Sequence, residues 1–239
     1  MQQAKTKPGK SSRLGTSQSL DAIGLEPFEL GASRPIDAQL YDRLQRALAS
    51  GAIAPGQKLT TRSLASAFGF SATPTRIALK QLVAEGVLVG RPRSGFQVAP
   101  ASAEAYRELL AIRCQLEGLA IRQSATRLSP DDLRRLERLH LKIVAKTHTE
   151  ATYLELNFAF HFTIYRAAQM PRLLDLIGAL WARVGPYLHL VAGFEVQEQF
   201  IASHQAMLTA LGRRDGEAAE AALRLDLESA AEIMLPHLL

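Results

Sequence analysis

Two closely spaced helix boundaries near residue 70 constrain the fold of this chain more than any other feature. Residues 60–68 have the pattern of a short helix, which begins at a threonine cap and ends at Gly69. Residues 71–85 have the pattern of a longer helix, with Ser71 as its cap and Pro74 in its first turn, where no backbone N–H is missed. Two helices joined by a tight turn that contains glycine predict a helix-turn-helix.

The flanking segments extend this motif. Upstream, Leu40, Leu44 and Leu48 recur at helical spacing and predict a preceding helix. Downstream, the segment VLVGRPRSGFQVAP alternates around glycine and proline and predicts a β-hairpin with Arg91 and Arg93 at its tip. A helix-turn-helix followed by a basic hairpin is a winged helix, which we place at residues 34–100. Residues 1–33 are rich in Ser, Gly, Lys and Gln and predict a flexible tail.

Residues 101–239 predict helices only. Apolar residues recur there at spacings of three and four, and proline or glycine separates successive segments. The later helices are expected at roughly 150–168, 171–190, 194–212 and 215–235. The predicted fold is mostly α: an N-terminal winged helix-turn-helix with a small β-hairpin wing, and a C-terminal antiparallel α-helical bundle whose interior can host a ligand or a metal.

Charge and composition suggest where each half acts. Residues 1–100 contain 13 Lys and Arg against 6 Asp and Glu, whereas residues 101–239 contain 15 against 17. A basic first half favours a polyanionic partner such as double-stranded DNA. The single cysteine excludes an intramolecular disulfide, and no apolar run is long enough to span a bilayer. We therefore expect a cytoplasmic protein without a membrane partner.

The second helix of the motif begins with small polar groups and carries its basic residues on one face. Small capping residues let backbone N–H groups approach a phosphate, and the N-terminal end of a recognition helix faces base edges in the major groove. Arg76 lies one turn into this helix and Lys80 one turn further on the same face. Ile77, Leu79 and Leu82 are expected to pack inward. The alternative for this stretch alone is an ordinary capped surface helix.

The segment from Tyr41 to Pro100 resembles the DNA-binding domain of GntR-type bacterial transcription regulators. The resemblance rests on "SGAIAPGQKL", "LASAFGFS", "TPTRIAL", the "L-x-x-EG-x-L" pattern and the glycine in the wing. The family usually has arginine after the capping serine, and this chain has Ala72, so one charge-assisted contact is absent. The expected DNA contacts are Arg62, Ser71, Thr73, Thr75, Arg76, Lys80, Arg91, Arg93 and Gly95.

Residues 102–235 resemble the FCD-type effector-binding domain of the FadR branch of this family, through "RELLAIRCQLEGLA", "NFAFHFTIYRAA" and "SHQAMLTALGRRDGEAAEAALRLDL". The resemblance implies a divalent-metal site whose ligand positions here hold Asn157, His161, His204 and Asp226. The family has an aspartate at the first of these four positions and a histidine at the last. In this chain the first position holds Asn157, and the carboxylate, Asp226, stands at the last. Two imidazoles with one carboxylate suit Zn, Ni, Mn or Fe. A hydrogen-bonded polar cluster without a metal is the alternative.

The resemblance also implies an arginine near the effector pocket, here Arg113, whose guanidinium could hold a carboxylate. Its alternative role is a salt bridge to Glu117. We leave His140, His148, His189 and His237 as structural residues, and Trp181 as a core residue.

The expected function is a homodimeric regulator, a repressor by resemblance, that binds an inverted-repeat operator and responds to a small carboxylic acid. A metal-dependent helical-bundle enzyme fused to a DNA-binding domain and a ligand-free architectural DNA-binding protein are the alternatives. The enzyme lacks motif support, because the chain has a single Glu-x-x-His match, at Glu137, where a di-iron centre needs two.

Overall fold

The computed structural model describes residues 34–145, 149–192 and 198–238, and the predicted N-terminal tail lies outside these ranges. The first half of the described chain contains three helices and one hairpin. They are α1 (Ile36–Ala49), α2 (Thr61–Phe68), α3 (Ala72–Ala84), β1 (Leu88–Arg91) and β2 (Gly95–Val98). The predicted winged helix-turn-helix is therefore present.

Local capping explains the tight turn between α2 and α3. Thr60 accepts a hydrogen bond from the backbone N–H of Ser63, and the Ser63 side chain accepts one from the N–H of Thr60. Gly69 ends α2 in the left-handed conformation, with φ of 70°, where glycine carries no steric penalty. Ser71 occupies the N-cap position of α3. The predicted N-cap position of Ser71 is therefore confirmed, although its side chain makes no capping hydrogen bond.

The wing packs closely against the start of α2. Its strands pair antiparallel, from Leu88 opposite Val98 to Arg91 opposite Gly95, and Leu59 adds one further bridge to Phe96. Gly95 has φ of 96°, and a β-carbon there would lie 2.5 Å from the carbonyl oxygen of Leu59. Glycine is required at this position because both the backbone conformation and the close approach exclude a side chain.

The second half is helical throughout its described part, as predicted. The helices form an antiparallel bundle in which α4 packs on α6, α7 and α10, and α9 packs on α5 and α10. Their bounds are α4 (Ala103–Arg127), α5 (Pro130–Val144), α6 (Glu150–Ala167), α7 (Pro171–Val184), α8 (His189–Ala192), α9 (Glu198–Gly212) and α10 (Gly216–Met234).

One predicted helix is interrupted. The segment expected as a single helix over 171–190 ends as α7 at Val184, continues as a 3₁₀ turn over Gly185–Leu188, and resumes as the short α8. Pro186 lies inside this 3₁₀ turn, where it cannot donate the hydrogen bond that a continuous α-helix needs. The next helix, expected from residue 194, begins as α9 at Glu198, and residues 193–197 lie outside the described ranges.

The two halves are joined by a close contact between α1 and the α7 region. Helix α1 packs on α7, and a β-carbon at Gly185 would lie 2.5 Å from the carbonyl oxygen of Ala49. The Arg183 guanidinium donates to the carbonyl oxygen of Glu85, at the end of α3. The Tyr187 hydroxyl donates to the carbonyl of Ala99 at 2.6 Å. The winged helix-turn-helix half thus rests on α7 and on the turn that follows it.

Candidate DNA-binding surface and candidate metal centre

The basic residues predicted to contact DNA are exposed on α2, on α3 and on the wing. Arg76 and Lys80 are exposed on α3, as are Ser71 and Thr73 at its N-terminal end. Arg62 is exposed on α2, and Arg91 and Arg93 are exposed at the tip of the wing. None of these side chains is held in a salt bridge within the described residues. They are therefore free to meet phosphates and base edges.

Two residues in this region behave differently from the sequence prediction. Thr75 is fully buried, and its hydroxyl donates to the carbonyl oxygen of Ser71 at 3.0 Å, so we remove it from the expected DNA contacts. Gly95 is half-buried in the wing, and its contact with DNA stays a prediction. Ile77 was expected to pack inward, but it is 47% exposed on α3.

The helical domain brings together three of the four predicted metal ligands. His161 lies on α6, His204 on α9 and Asp226 on α10, and all three side chains are buried. One ligand atom from each lies within 4.8 Å of the others. Three helices that are far apart in sequence therefore converge on one point inside the bundle.

The distances in this cluster match shared ligation better than direct hydrogen bonding. The Nε2 atom of His161 lies 3.4 Å from Oδ2 of Asp226, and Nε2 of His204 lies 3.6 Å from Oδ1. Charge-assisted N–H···O hydrogen bonds are about 2.7–2.9 Å long. Ligand atoms about 2.0–2.1 Å from a tetrahedral zinc ion are about 3.3 Å apart. Each imidazole nitrogen thus lies about as far from the Asp226 carboxylate as two ligand atoms of one ion lie from each other.

Several polar atoms of the cluster are buried without partners. Both ring nitrogens of His204 and Oδ1 of Asp226 have no hydrogen-bond partner among the described residues. Burial lowers the pKa of His204 to about 3, so the imidazole is neutral at physiological pH and offers a lone pair. An unsatisfied buried polar group costs about 1–3 kcal/mol. A cation bound between these atoms would satisfy them, and the residues therefore fit a divalent metal.

The fourth predicted ligand lies next to this cluster. Asn157 is one helical turn before His161 on α6, and both residues line a small, partly open cavity of about 30 Å³. The cavity is also lined by Arg113, Trp181 and Asp226. One buried water needs about 10–15 Å³, so this space holds an ion with a water molecule, whereas a metabolite needs several hundred Å³.

Arg113 forms the salt bridge that the sequence offered as an alternative. Its Nε donates to Oε1 of Glu117 at 2.6 Å, and both side chains are buried. Burial lowers the pKa of Arg113, but the charge of Glu117 more than offsets this effect, so the guanidinium stays charged. The guanidinium carbon also lies 4.9 Å from the centroid of the Trp181 ring. Arg113 therefore lines the cavity with two of its donor nitrogens already bound to Glu117.

Comparison with known proteins agrees with this architecture. Residues 36–98 match the family described as bacterial regulatory proteins, gntR family, and residues 108–229, half of the chain, match the FCD domain. The chain belongs to the GntR family and carries an FCD domain. It is 32% identical over 185 residues to the HTH-type transcriptional regulator McbR of Escherichia coli K12, covering 75% of this chain and 83% of that protein.

Other relatives agree with this assignment. The HTH-type transcriptional repressor RspR of Escherichia coli K12 is 27% identical, over 85% of this chain and 91% of its own length. The solved structure titled "E. coli McbR/YncC" superposes with a TM-score of 0.77 at 29% identity, covering 85% of this chain and 99% of that one. The GntR-family protein is a DNA-binding transcription regulator, which confirms the expected class and rules out the enzyme alternative.

Three residues of the GntR protein's FCD domain lie at or beside the site although the sequence did not assign them to it. Trp181, predicted as plain core, lines the cavity with its ring centroid 5.3 Å from that of His161. His140, predicted as structural, is buried with its ring centroid 6.2 Å from that of His204. Tyr165 was not identified at all, although it lies one helical turn after His161. Its spacing from His161 was the only available signal.

The remaining features of the regulator are its cysteine, two histidines outside the cluster and the character of its helices. Cys114 is buried, and burial raises the pKa of its thiol, consistent with an unreactive core residue. His189 is half-buried between Glu150 and the carbonyl oxygen of Gly51, and His148 lies outside the described residues. Within the described ranges, none of the helices has the length and apolar character needed to cross a bilayer.

Proposed function

We propose that this GntR regulator is a homodimeric repressor whose operator affinity depends on a metal-containing effector site in the FCD domain. In this proposal residues 34–100 bind an inverted-repeat operator, and residues 101–239 bind the effector and form the dimer. The exposed contacts to DNA are Arg62, Ser71, Thr73, Arg76, Lys80, Arg91 and Arg93. A two-fold dimer matches the symmetry of an inverted repeat.

The proposed effector site is supported by buried polar atoms of His204 and Asp226 that have no hydrogen-bond partner among the described residues. Together with His161 they offer two imidazoles and one carboxylate, and Asn157 would add an amide oxygen. This donor set suits Zn, Ni, Mn or Fe. A bound ion would supply a Lewis-acidic centre that an effector carboxylate could complete. Because an amide oxygen is a weaker ligand than a carboxylate, we expect lower affinity than in sites with a full complement of charged ligands.

The first experiment is elemental analysis of tag-free, chelator-free protein. We expect about one divalent ion per chain in the wild type and almost none in the double variant His161→Ala/His204→Ala, since three or four ligands are needed to hold the ion. The chain has a single tryptophan, Trp181, which lies beside His161. Added Ni²⁺ should therefore quench its fluorescence in the wild type and not in the double variant.

The matched control is His189→Ala, which removes a histidine that contacts the DNA-binding half and lies outside the metal cluster. It should retain the metal. If neither the wild type nor this control contains or takes up a divalent ion, the cluster is a polar wall of the pocket, and Arg113 becomes the leading anchor for the effector carboxylate.

The size of the cavity bears on how an effector would act. At about 30 Å³ it has no room for an organic acid beside an ion, so a carboxylate must displace part of its lining. Two of the lining residues, Trp181 and Leu188, belong to α7 and to the 3₁₀ turn on which the DNA-binding half rests. An effector that binds an opened arrangement more tightly than this closed one would shift the position of the DNA-binding half.

Arg76 tests the DNA-binding surface. Arg76→Ala should weaken binding to the operator by about 1–3 kcal/mol, roughly tenfold to hundredfold, because a bidentate arginine contact in the major groove is lost. Binding measured by fluorescence anisotropy at several salt concentrations checks this. The control Arg172→Ala removes another exposed arginine, on α7, with no change in operator affinity expected. Equal affinity for the wild type and Arg76→Ala would contradict the assignment of α3 as the recognition helix.

A further inference from the structure

We propose that Glu117 and Tyr165 are positioning residues that hold a hydrogen on Nδ1 of His161 and so reserve its Nε2 as the ligand atom facing His204 and Asp226. The hydrogen-bond chain Glu117–Tyr165–His161 carries this inference. It deepens the proposed metal site, although the proton position on His161 can be tested whether or not a metal binds.

The Glu117 side chain acts only as a hydrogen-bond acceptor. Its side chain has no exposed surface and is bound by Arg113 through two donors, Nε to Oε1 at 2.6 Å and Nη2 to Oε2 at 3.4 Å. Both carboxylate oxygens thus accept from the Arg113 guanidinium, and the Tyr165 hydroxyl is a third donor to this group.

The Tyr165 hydroxyl has a single hydrogen, which it can donate to only one partner. The hydroxyl lies 2.5 Å from Oε2 of Glu117 and donates its hydrogen there. The same oxygen lies 3.1 Å from Nδ1 of His161. Because its only hydrogen is committed to Glu117, the Tyr165 oxygen can only accept from His161. Nδ1 must therefore carry a hydrogen.

The other ring nitrogen of His161, Nε2, is the one that faces Asp226. A neutral imidazole has one N–H and one lone pair, so a hydrogen on Nδ1 places the lone pair on Nε2. That atom lies 3.4 Å from Oδ2 of Asp226, about the separation of two ligand atoms that share one ion. When the imidazole is neutral, Nε2 is therefore the atom that can ligate a cation beside Asp226.

The consequence for binding is a prediction about Tyr165→Phe. Without the hydroxyl, Nδ1 loses its acceptor, and the proton can move to Nε2, where Asp226 accepts it. A metal ion must then displace this proton before His161 can ligate. Partners of ligating histidines typically change metal affinity by about 10–100-fold, and we expect Zn²⁺ affinity to fall within this range.

The test begins with the metal-free protein labelled with ¹⁵N at its histidines. Long-range ¹H–¹⁵N NMR at pH 8.5 distinguishes protonated from unprotonated ring nitrogens, and His161→Asn assigns the signals. The wild type should show His161 protonated at Nδ1 and unprotonated at Nε2, and Tyr165→Phe should show a substantial share of the reversed tautomer. Zn²⁺ affinity is then measured for both by competition with a chelator.

The control is Tyr41→Phe, which removes another phenol hydroxyl, on α1, that donates to Glu85 and lies outside the hydrogen-bond chain to His161. It should leave the His161 tautomer and the Zn²⁺ affinity as in the wild type. A wild-type His161 protonated at Nε2, or a tautomer unchanged by Tyr165→Phe, overturns the inference. Failure of the wild type to bind Zn²⁺ while the tautomer behaves as expected overturns the proposed metal site and leaves the positioning role intact.

Discussion

Arg113→Leu should lower the free energy of unfolding by about 3–5 kcal/mol, because it leaves the carboxylate of Glu117 buried without its counter-ion. Leucine fills much of the same space, so the loss reports the uncompensated charge more than a cavity. In a domain of this size the change corresponds to a fall in the melting temperature of roughly 10 °C. Thermal unfolding followed by circular dichroism measures it.

A second variant separates charge from packing. Arg113→Leu/Glu117→Leu removes both charges and should recover most of the lost stability, since replacing a buried ion pair with apolar residues is often close to neutral. The control is Arg122→Leu, on the same helix, whose partner Glu220 lies 3.2 Å away in a half-exposed salt bridge. That change should cost less than about 1 kcal/mol. A small effect for Arg113→Leu would mean that Glu117 is neutral in the folded protein.

This prediction also bears on the effector. The resemblance to FCD domains suggested Arg113 as an anchor for a carboxylate, yet Glu117 already occupies its Nε and one of its terminal nitrogens. An incoming carboxylate would therefore meet a guanidinium whose charge is largely balanced. Buried atoms of His204 and Asp226 lack hydrogen-bond partners among the described residues, so a ligand that binds them gains more free energy than one that binds Arg113. We therefore expect most of the binding energy of the proposed effector to come from the proposed metal site.

The fold could be predicted from the sequence because its boundaries are set by local chemistry. The Thr60–Ser63 capping box, the left-handed Gly69 and the wing glycine Gly95 each determine their own stretch of backbone. The break after α7 was missed because apolar spacing continues through it. A proline inside a helical pattern allows a break without requiring one, and the close packing of α1 on Gly185 accompanies the break here.

The site could be predicted only in part. His161, His204 and Asp226 were found through the resemblance, and the structure brings them together. The roles of Glu117 and Tyr165 depend on the packing of α4 against α6, which no local pattern specifies. Thr75 was placed at the DNA surface because threonine suits a helix start, but the rotation of α3 turns it inward.

Gly185→Ala should separate the DNA-binding half from the FCD domain. A β-carbon there would meet the backbone oxygens at the end of α1, 2.5 Å from that of Ala49 and closer still to that of Leu48. Backbone atoms cannot move aside as a flexible side chain can, so we expect a loss of about 1–3 kcal/mol or more. Small-angle scattering should show a larger radius of gyration, and thermal unfolding should split into two transitions.

The control is Gly178→Ala on the same helix, α7. There a β-carbon would lie 3.7 Å from the side chain of Gln45, an ordinary contact, and the helix should gain about 0.5–1 kcal/mol. Helix α7 carries Trp181 beside His161 and also packs on α1, so it connects the metal cluster to the DNA-binding half.

A ligand shifts operator affinity only if it favours one arrangement of the two halves over the other. Once α1 no longer rests on α7, Gly185→Ala should still bind metal, but its operator affinity should no longer respond to metal. Because coupling is reciprocal, operator DNA should then leave metal affinity unchanged in this variant while altering it in the wild type. A response to metal as large in Gly185→Ala as in the wild type would mean that the signal reaches DNA by another route, such as a contact between the subunits of the proposed dimer.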